Sequence, residues 1–261
     1  MSALILSDCN DRGVGTITLN RPELRNAFND EVIAQLHSAL EAMAENPRVR
    51  VVVLAGNGPA FSAGGDLNWM RRMADYTDAD NQRDAGKLAA LLQRLYTLPQ
   101  PTLARVHGDA FAGGIGLLSA CDLAVCAAEA TFSLSEVKLG LIPATISPYV
   151  IRAIGPRAAH RYFLTAERFH AAEAARIGLV HEVVAAEALD ARVGALVDAL
   201  LSASPNALRA CKKLLHDVAE REINTALIAE TVAGIAQIRA SDEGKEGVQA
   251  FLQKRKPAWL A

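Results

Sequence analysis

Two glycine-rich loops are the segments of this sequence best suited to stabilise a developing negative charge. They read FSAGGD (61–66) and AFAGGIG (110–116), and each follows a β-rich run and precedes a helix-like segment. Small residues at a strand-to-helix junction leave backbone N–H groups free at the positive end of the helix. Two such loops at one sheet edge would direct two N–H groups at a single oxygen, as in an oxyanion hole. Tight turns are the alternative explanation for either loop alone.

A single carboxylate, Glu136, follows these loops in the otherwise small or apolar segment FSLSEVKLGLIPATISPYV. Apolar surroundings raise the pKa of a carboxyl group and suit it to proton transfer near neutral pH. An exposed glutamate paired with Lys138 or a nearby arginine is the alternative. The sequence therefore offers one candidate general acid–base.

The elements that must position these residues alternate along the first part of the chain. β-rich runs, among them VRVVVLAG and PTLARVHGDAF, alternate with helical segments, and Asn29 is the expected N-cap of the first helix. VRVVVLAG is β-branched throughout, which is typical of a strand buried on both faces of a parallel sheet. Parallel strands need crossover connections, so the pattern predicts an α/β fold. After about residue 155 the pattern is almost wholly helical.

Composition excludes several classes of protein. The chain has 261 residues, 51% of them hydrophobic and 21% charged, which is typical of a globular protein. A net charge of −2 gives no basis for nucleic-acid binding. The four cysteines are scattered without a Cys/His cluster, so no metal is expected. The second loop lacks the third glycine of GxGxxG, which disfavours a dinucleotide. Neither a signal peptide nor an apolar run of roughly 20 residues is evident, so no membrane is expected and we expect a cytoplasmic location.

Four motifs in order and in register resemble the enoyl-CoA hydratase/isomerase (crotonase) superfamily. They are FSAGGDL, AFAGGIGLLSACDLAVC, SEVKLGLIP and EGVQAFLQKRKPAW, and together they span nearly the whole chain. The resemblance implies an α/β fold, a crotonase-type spiral of ββα repeats over residues 1–195. It also implies a helical C-terminal trimerisation region over 196–261, with a homotrimer or a dimer of trimers as the assembly.

The resemblance also assigns roles to individual residues. It implies that the N–H groups of Ala63 and Gly113 hold the thioester oxygen of an acyl-CoA as it becomes an enolate, while Glu136 transfers a proton. The residues it implies for contact with coenzyme A or the acyl chain are Arg25, Ala63, Gly64, Gly65, Asp66, Leu67, Phe251 and Lys254, the last two reaching a neighbouring subunit's ligand. Coenzyme A is part of the substrate, so no separate cofactor is expected.

The sequence departs from the family pattern at Gly116. Hydratases of this family use two glutamates, of which the second matches Glu136 and the first would fall five residues before Cys121, at Gly116. A one-glutamate site is sufficient for the family's enoyl-CoA isomerases. Glycine at this position also fits a bacterial subgroup of hydratases that act on glutaconyl-CoA substrates. FSAGGDLNWM, LSEVKLGLIPATISPYVIRAIG and KRKPAW carry this closer likeness.

The subgroup implies hydration of 3-methylglutaconyl-CoA to 3-hydroxy-3-methylglutaryl-CoA in leucine breakdown. Isohexenylglutaconyl-CoA hydration, single-glutamate isomerisation and a non-catalytic RNA-binding or scaffold role are also compatible with the motifs. A glutaconyl substrate carries a free carboxylate, which needs a cation or strong hydrogen-bond donors as a partner. This carboxylate could also orient the water that Gly116 cannot hold. The cations nearest in sequence, among which the sequence does not choose, are Lys138, Arg152, Arg157, Arg161 and Arg168.

Overall fold

Two β-sheets form the framework of the protein in a computed structural model that describes residues 3–260. The larger sheet has the strand order β1 (Ile5–Cys9), β2 (Val14–Leu19), β3 (Val51–Gly56), β5 (Thr102–Val106), β7 (Leu123–Ala127) and β10 (Glu182–Val184). The smaller sheet has the order β4 (Ala60–Ser62), β6 (Asp109–Phe111), β8 (Thr131–Ser133) and β9 (Phe169–His170). All pairings are parallel except β1 with β2 and β8 with β9.

From β3 to β8, consecutive strands divide between the two sheets and each pair is followed by a helix, which is the ββα spiral that the resemblance implies. β3, β5 and β7 join the larger sheet, whereas β4, β6 and β8 join the smaller one. The helices of this part are α1 (Asp30–Glu45), α2 (Leu67–Met73), α3 (Asp78–Tyr96), α4 (Gly113–Ala120) and α5 (Ser147–Thr165). The predicted cap of α1 is confirmed, because the side chain of Asn29 accepts a hydrogen bond from the Val32 N–H at 2.8 Å.

The β-rich run PTLARVHGDAF forms two strands, because this segment supplies β5 to one sheet and β6 to the other. The chain bends between them at Gly108, which packs directly against the preceding repeat. A Cβ at Gly108 would lie 2.6 Å from the carbonyl oxygen of Pro59. The bend therefore requires a glycine and separates the two short strands.

The C-terminal part is mainly helical, although β9 and β10 return to the sheets. It contains α6 (Ala171–Arg176), α7 (Leu189–Ser202), α8 (Pro205–Val218), α9 (Thr225–Ala240) and α10 (Asp242–Leu252). α7 packs its apolar face, which includes Val193 and Val197, on β3, β5 and β7. The domain boundary predicted after residue 195 falls inside α7. Within residues 3–260, no helix has the length and apolarity needed to cross a membrane.

Candidate active site

Three neighbouring strands of the smaller sheet bring the candidate catalytic segments together. β4, β6 and β8 are parallel and adjacent, so their carboxyl ends meet at one sheet edge. The first glycine-rich loop follows β4, the second follows β6, and the short 3₁₀ helix Glu136–Leu139 follows β8. Ligands of parallel sheets bind at such an edge.

A cavity of about 470 Å³ lies there, and it is lined by Gly65, Gly113 and Glu136. Most of its wall is apolar and comes from α2, α3 and the loop that precedes α5. The principal apolar residues of the wall are Phe28, Trp69, Met70, Met73, Leu88, Leu141, Ile142, Pro143 and Ile146. The other polar side chains that line the cavity are those of Asn81, Asp84 and Thr145. The cavity has the size and apolar character of an acyl-binding site.

The N–H of Ala63 is not available to a ligand, so the prediction that Ala63 forms half of an oxyanion hole is wrong. It donates to the carbonyl oxygen of Arg25 at 2.9 Å, and Ala63 does not line the cavity. Gly65, two residues later, does line it. Two hydrogen bonds to Phe28 fix the chain on both sides of Gly65. The Phe28 N–H donates to Gly64 O, and the Asp66 N–H donates to Phe28 O. No acceptor in the described part of the chain is bonded to the Gly65 N–H.

Gly113 occupies the predicted position at the start of α4 and lines the cavity. The first N–H groups of a helix have no intrahelical acceptor, so the Gly113 N–H is free to donate to a ligand. Ala112 turns the chain sharply from β6 into α4 with φ +47°, a strained conformation for a residue with a Cβ, while its own N–H donates to Ser133 O. A Cβ on Gly113 would lie 2.5 Å from the ring of Phe28, so glycine is required there.

Glu136 is half-buried in the same cavity, on the segment that follows β8. Its Oε2 atom is buried and has no hydrogen-bond partner among the described residues. Burial raises the pKa of Glu136 above its ordinary value of 4.5, although its own backbone N–H acts in the opposite direction. A carboxyl group with a raised pKa and a free oxygen can accept and return a proton near neutral pH.

Gly116 is buried beneath Ile146 and does not line the cavity. A Cβ on Gly116 would lie 2.3 Å from Cγ2 and 2.9 Å from Cβ of Ile146, whose side chain is only 2% exposed. The space that a glutamate would need at this position is therefore filled by a stiff β-branched side chain. The Gly116 position accordingly holds neither a carboxylate nor a vacancy in which one could lie.

The remaining residues of the first loop have structural contacts. Asp66 is buried, caps α2 by accepting from the N–H groups of Asn68 and Trp69, and forms an ion pair with Arg21 at 3.0 Å. Desolvation acts to raise the pKa of Asp66, but these hydrogen bonds and the Arg21 charge lower it overall. Leu67 is 69% exposed at the first position of α2. Asp66 thus fixes the loop that presents Gly65.

Three of the residues predicted to contact coenzyme A, Arg25, Phe251 and Lys254, do not line the cavity. Arg25 is exposed and pairs with Asp109 at 2.6 Å. Phe251 is 83% exposed near the end of α10, and Lys254 follows it with φ +53°. Their contacts with coenzyme A stay predictions.

None of the five cations nearest in sequence to Glu136 lines the cavity. Lys138 donates to Ala166 O at 2.8 Å, Arg152 donates to Pro148 O, and Arg168 lies over the ring of Phe111. Arg157 and Arg161 line a different depression of about 780 Å³, on α5 and α6. That depression contains one acid, Glu173, which is bonded to Arg176 and Tyr162. The carboxylate of this depression is therefore held by other side chains, unlike that of Glu136.

Sequence reasoning missed Ile146 and Asp84 as members of the site. Ile146 follows the turn at residues 143–145, where the sequence shows no helical or strand periodicity, and only its contact with Gly116 reveals its role. Asp84 lies in a helix with many exposed charges, and its 8% exposure is the sole sign that it faces inward. Trp69, a residue whose helical spacing favours core packing, lines the cavity and is 5% exposed. Within residues 3–260 no group of three His, Cys, Asp or Glu side chains could hold a metal.

Comparison with known proteins agrees with the geometry. The family model described as enoyl-CoA hydratase/isomerase matches residues 10–261. The crystal structure of an enoyl-CoA hydratase from Shewanella pealeana is 43% identical, with a TM-score of 0.96 over 98% of this chain and 96% of that one.

Two curated relatives match over nearly their full lengths. The 2,3-dehydroadipyl-CoA hydratase of Escherichia coli is 34% identical over 98% of both chains. The crotonyl-CoA hydratase of Syntrophomonas wolfei is 32% identical over 95% of both. With a family match over nearly its whole length and the crotonase fold, this chain belongs to the enoyl-CoA hydratase/isomerase family and is an enoyl-CoA hydratase-type enzyme.

Proposed function

We propose that the enzyme adds water to the double bond of an α,β-unsaturated acyl-CoA with Glu136 as its single proton-transfer group. The N–H groups of Gly65 and Gly113 donate to the thioester oxygen, which draws electrons from the double bond. The water oxygen bonds to the β-carbon, its proton passes to Glu136, and Glu136 returns a proton to the α-carbon. The observation that carries this proposal is the meeting of two free N–H groups and one desolvated carboxyl in one cavity.

The substrate that we propose is 3-methylglutaconyl-CoA, which becomes 3-hydroxy-3-methylglutaryl-CoA in leucine breakdown. The motifs shared with the glutaconyl-CoA subgroup support this choice, as does Gly116. The name of the Escherichia coli relative denotes a dicarboxylic acyl group, which also supports a substrate with a distal carboxyl. That carboxyl would orient the attacking water. The reaction needs no metal and no cofactor beyond the coenzyme A of the substrate.

A specific observation favours a second candidate, the single-glutamate isomerase. Because Ile146 fills the space beside Gly116, no second carboxylate can activate water there. One carboxyl is sufficient to move a proton between the α- and γ-carbons. Hydration of isohexenylglutaconyl-CoA and a non-catalytic RNA-binding or scaffold role are the remaining candidates, and both rest on the sequence motifs alone.

Parallel assays of crotonyl-CoA, 3-methylglutaconyl-CoA, isohexenylglutaconyl-CoA and a 3-enoyl-CoA test the proposal. We expect hydration of 3-methylglutaconyl-CoA with the highest kcat/KM, and a loss of about 10²-fold or more in Glu136→Gln. Glu129→Gln, at an exposed turn before β8, is the matched control. Conversion of the 3-enoyl-CoA alone would make the enzyme an isomerase, and salt-sensitive RNA binding without turnover would make it a scaffold. Near-normal turnover in Glu136→Gln would refute the mechanism.

We also infer that the C-terminal helices associate in a trimer or a dimer of trimers. Apolar side chains of α8, α9 and α10 are exposed on the single chain, which is typical of a surface covered in an assembly. They include Leu215, Ile228, Val232, Val248, Phe251 and Leu252. Light scattering should give three or six times 27.8 kDa, and Val232→Asp should dissociate the assembly. A monomer for the wild-type protein would contradict the inference.

A further inference from the structure

Two buried polar atoms of the active-site cavity have no partner in the described chain, and they are of opposite kinds. Trp69 Nε1 and Glu136 Oε2 are both buried, and neither forms a hydrogen bond with any residue between 3 and 260. None of the other buried side-chain atoms that lack a partner in this range belongs to a residue of the cavity wall. An indole N–H only donates, whereas an ionised carboxylate only accepts. The cavity thus presents one unused donor and one unused acceptor.

Trp69 is held beside Gly65, the first of the two backbone donors. Its side chain is 5% exposed, and its backbone N–H donates to Asp66 Oδ1 at 3.1 Å. A Cβ on Gly65 would lie 3.9 Å from Cε3 of the Trp69 indole. Because indole is rigid and planar, its N–H lies within one ring system of that carbon. The unused donor therefore lies next to the backbone group that is proposed to contact the thioester oxygen.

Glu136 lies on the other side of the same pair of loops. The loops are in direct contact, because a Cβ on Gly64 would lie 3.0 Å from the Cβ of Ala112. The Ala112 N–H donates to Ser133 O at 2.9 Å, three residues before Glu136. The thioester carbon adjoins the α-carbon, so a double bond held at these loops is flanked by Trp69 and Glu136.

A hydroxyl group complements this donor and this acceptor. The oxygen of water can accept from the Trp69 N–H while one of its O–H groups donates to Glu136. Buried water is found where several polar groups otherwise lack partners. Such a water keeps a second O–H for the distal carboxylate of the substrate and a second lone pair for the β-carbon. Gly116 offers the water no carboxylate, because Ile146 fills the space beside it.

We propose that Trp69 binds the attacking water in the hydration step, with its indole N–H donating to the water oxygen and then to the 3-hydroxyl which that oxygen becomes. Glu136 takes the proton of the water as the oxygen bonds to the β-carbon, and Trp69 keeps its own proton throughout. Holding the oxygen between a donor and an acceptor directs a lone pair at the β-carbon. The proposal deepens the proposed function and rests on its hydration step.

Binding of two saturated acyl-CoAs tests the contact without turnover. 3-Hydroxybutyryl-CoA and butyryl-CoA differ only in the 3-hydroxyl. The titrations use Glu136→Gln protein, which slows turnover and keeps an amide oxygen that can accept from the hydroxyl. Adding Trp69→Phe should raise the Kd of 3-hydroxybutyryl-CoA about tenfold and leave that of butyryl-CoA unchanged. Equal changes for the two ligands, or no change for either, overturn the proposal.

Trp259→Phe is the matched control for this substitution. Trp259 donates to Ser202 O at 3.1 Å and does not line the cavity, so its replacement should change neither Kd. The same variant permits a measurement in which Trp69 stays intact, because the chain has two tryptophans. A hydrogen bond from the indole N–H shifts tryptophan emission to longer wavelength. In Trp259→Phe/Glu136→Gln protein, 3-hydroxybutyryl-CoA should therefore give a red shift relative to butyryl-CoA, and identical emission overturns the proposal.

Two reactions of the same site separate water binding from packing. Trp69→Phe should lower the kcat for hydration of 3-methylglutaconyl-CoA about tenfold or more. Exchange of the α-protons of butyryl-CoA with D₂O needs Gly65, Gly113 and Glu136 but no water at the β-carbon, so its rate should be nearly unchanged. Loss of both rates by the same factor would make Trp69 a packing residue and overturn the proposal. Wild-type protein that shows the red shift but no hydration would contradict the proposed function and leave the hydroxyl contact standing.

Discussion

Replacement of Gly116 with alanine should destabilise the protein, although alanine is the better helix former. Gly116 lies inside α4, where glycine costs about 1 kcal/mol relative to alanine. The added Cβ would come within 2.3 Å of Ile146 Cγ2 and 2.9 Å of Ile146 Cβ. Overpacking of this kind costs about 3 kcal/mol, since a buried β-branched side chain cannot rotate away. The net loss is therefore about 2 kcal/mol.

Urea unfolding at fixed protein concentration measures this loss, and Gly86→Ala provides the control. Gly86 is also inside a helix, α3, but a Cβ there would meet nothing within 4 Å. Gly86→Ala should therefore stabilise the protein by about 0.5–1 kcal/mol. The two substitutions are chemically identical and should have opposite signs. In thermal unfolding, the loss in Gly116→Ala corresponds to a Tm lower by about 4–8 °C.

A double-mutant cycle identifies Ile146 as the cause. Ile146→Ala alone should cost about 2–5 kcal/mol through the cavity that it leaves. The double variant Gly116→Ala/Ile146→Ala should cost about 2–3 kcal/mol less than the sum of the single variants, because the clash is gone. Additive costs, or a Gly116→Ala protein as stable as the wild type, would refute the packing argument. The same contact predicts that Gly116→Glu alone will not provide a second catalytic carboxylate.

Three further predictions concern other sites. Burial raises the pKa of Glu136 in the folded protein, so the contribution of Glu136 to stability is present below its unfolded pKa of about 4.5 and is lost as pH rises through its folded pKa. The urea midpoint of Glu136→Gln should therefore be higher than that of the wild type at pH 7, and the difference should vanish by pH 4. Replacement of Lys212 with methionine should lower the free energy of unfolding by about 3 kcal/mol, because Lys212 is 8% exposed and lies 2.7 Å from Asp122. The same replacement of the exposed Lys213 should lower it by at most about 0.5 kcal/mol. Equal effects in urea unfolding would contradict a buried pair. Lys254→Ala should raise the steady-state KM for crotonyl-CoA by a larger factor than it lowers kcat, and an unchanged KM would remove Lys254 from the coenzyme A site.

The sequence predicted those parts of the site that depend on local chemistry. Glycine at a strand-to-helix junction identifies Gly113, and a lone carboxylate in an apolar segment identifies Glu136. The prediction that Ala63 offers a free N–H was wrong, because the bond that occupies it is not local. The Ala63 N–H donates to Arg25 O, and that carbonyl is directed by a turn in which Arg25 and Asn26 both have positive φ. Nothing in the spacing of FSAGGD contains this information.

The fold was predictable where strands are long and buried, as in β3, and not where they are short. β4, β6 and β8 have three residues each, too few for alternation to indicate a strand. Their pairing depends on contacts between repeats, such as that of Gly108 with Pro59. The C-terminal pattern failed for the same reason at β9 and β10, which have two and three residues.

These short strands explain why residues so far apart in sequence form one site. The three ββα repeats that begin with β3, β5 and β7 send their first strands to the larger sheet and their second strands to the smaller one, so the second strands become parallel neighbours. Whatever follows those strands must meet at one edge: Gly65 after β4, Gly113 after β6 and Glu136 after β8. The first two supply backbone N–H groups, which any residue except proline possesses, so side-chain identity there is constrained only by space. Reaction type can therefore change through the third segment and the side chains of the cavity wall, which is where Ile146 and Asp84 lie.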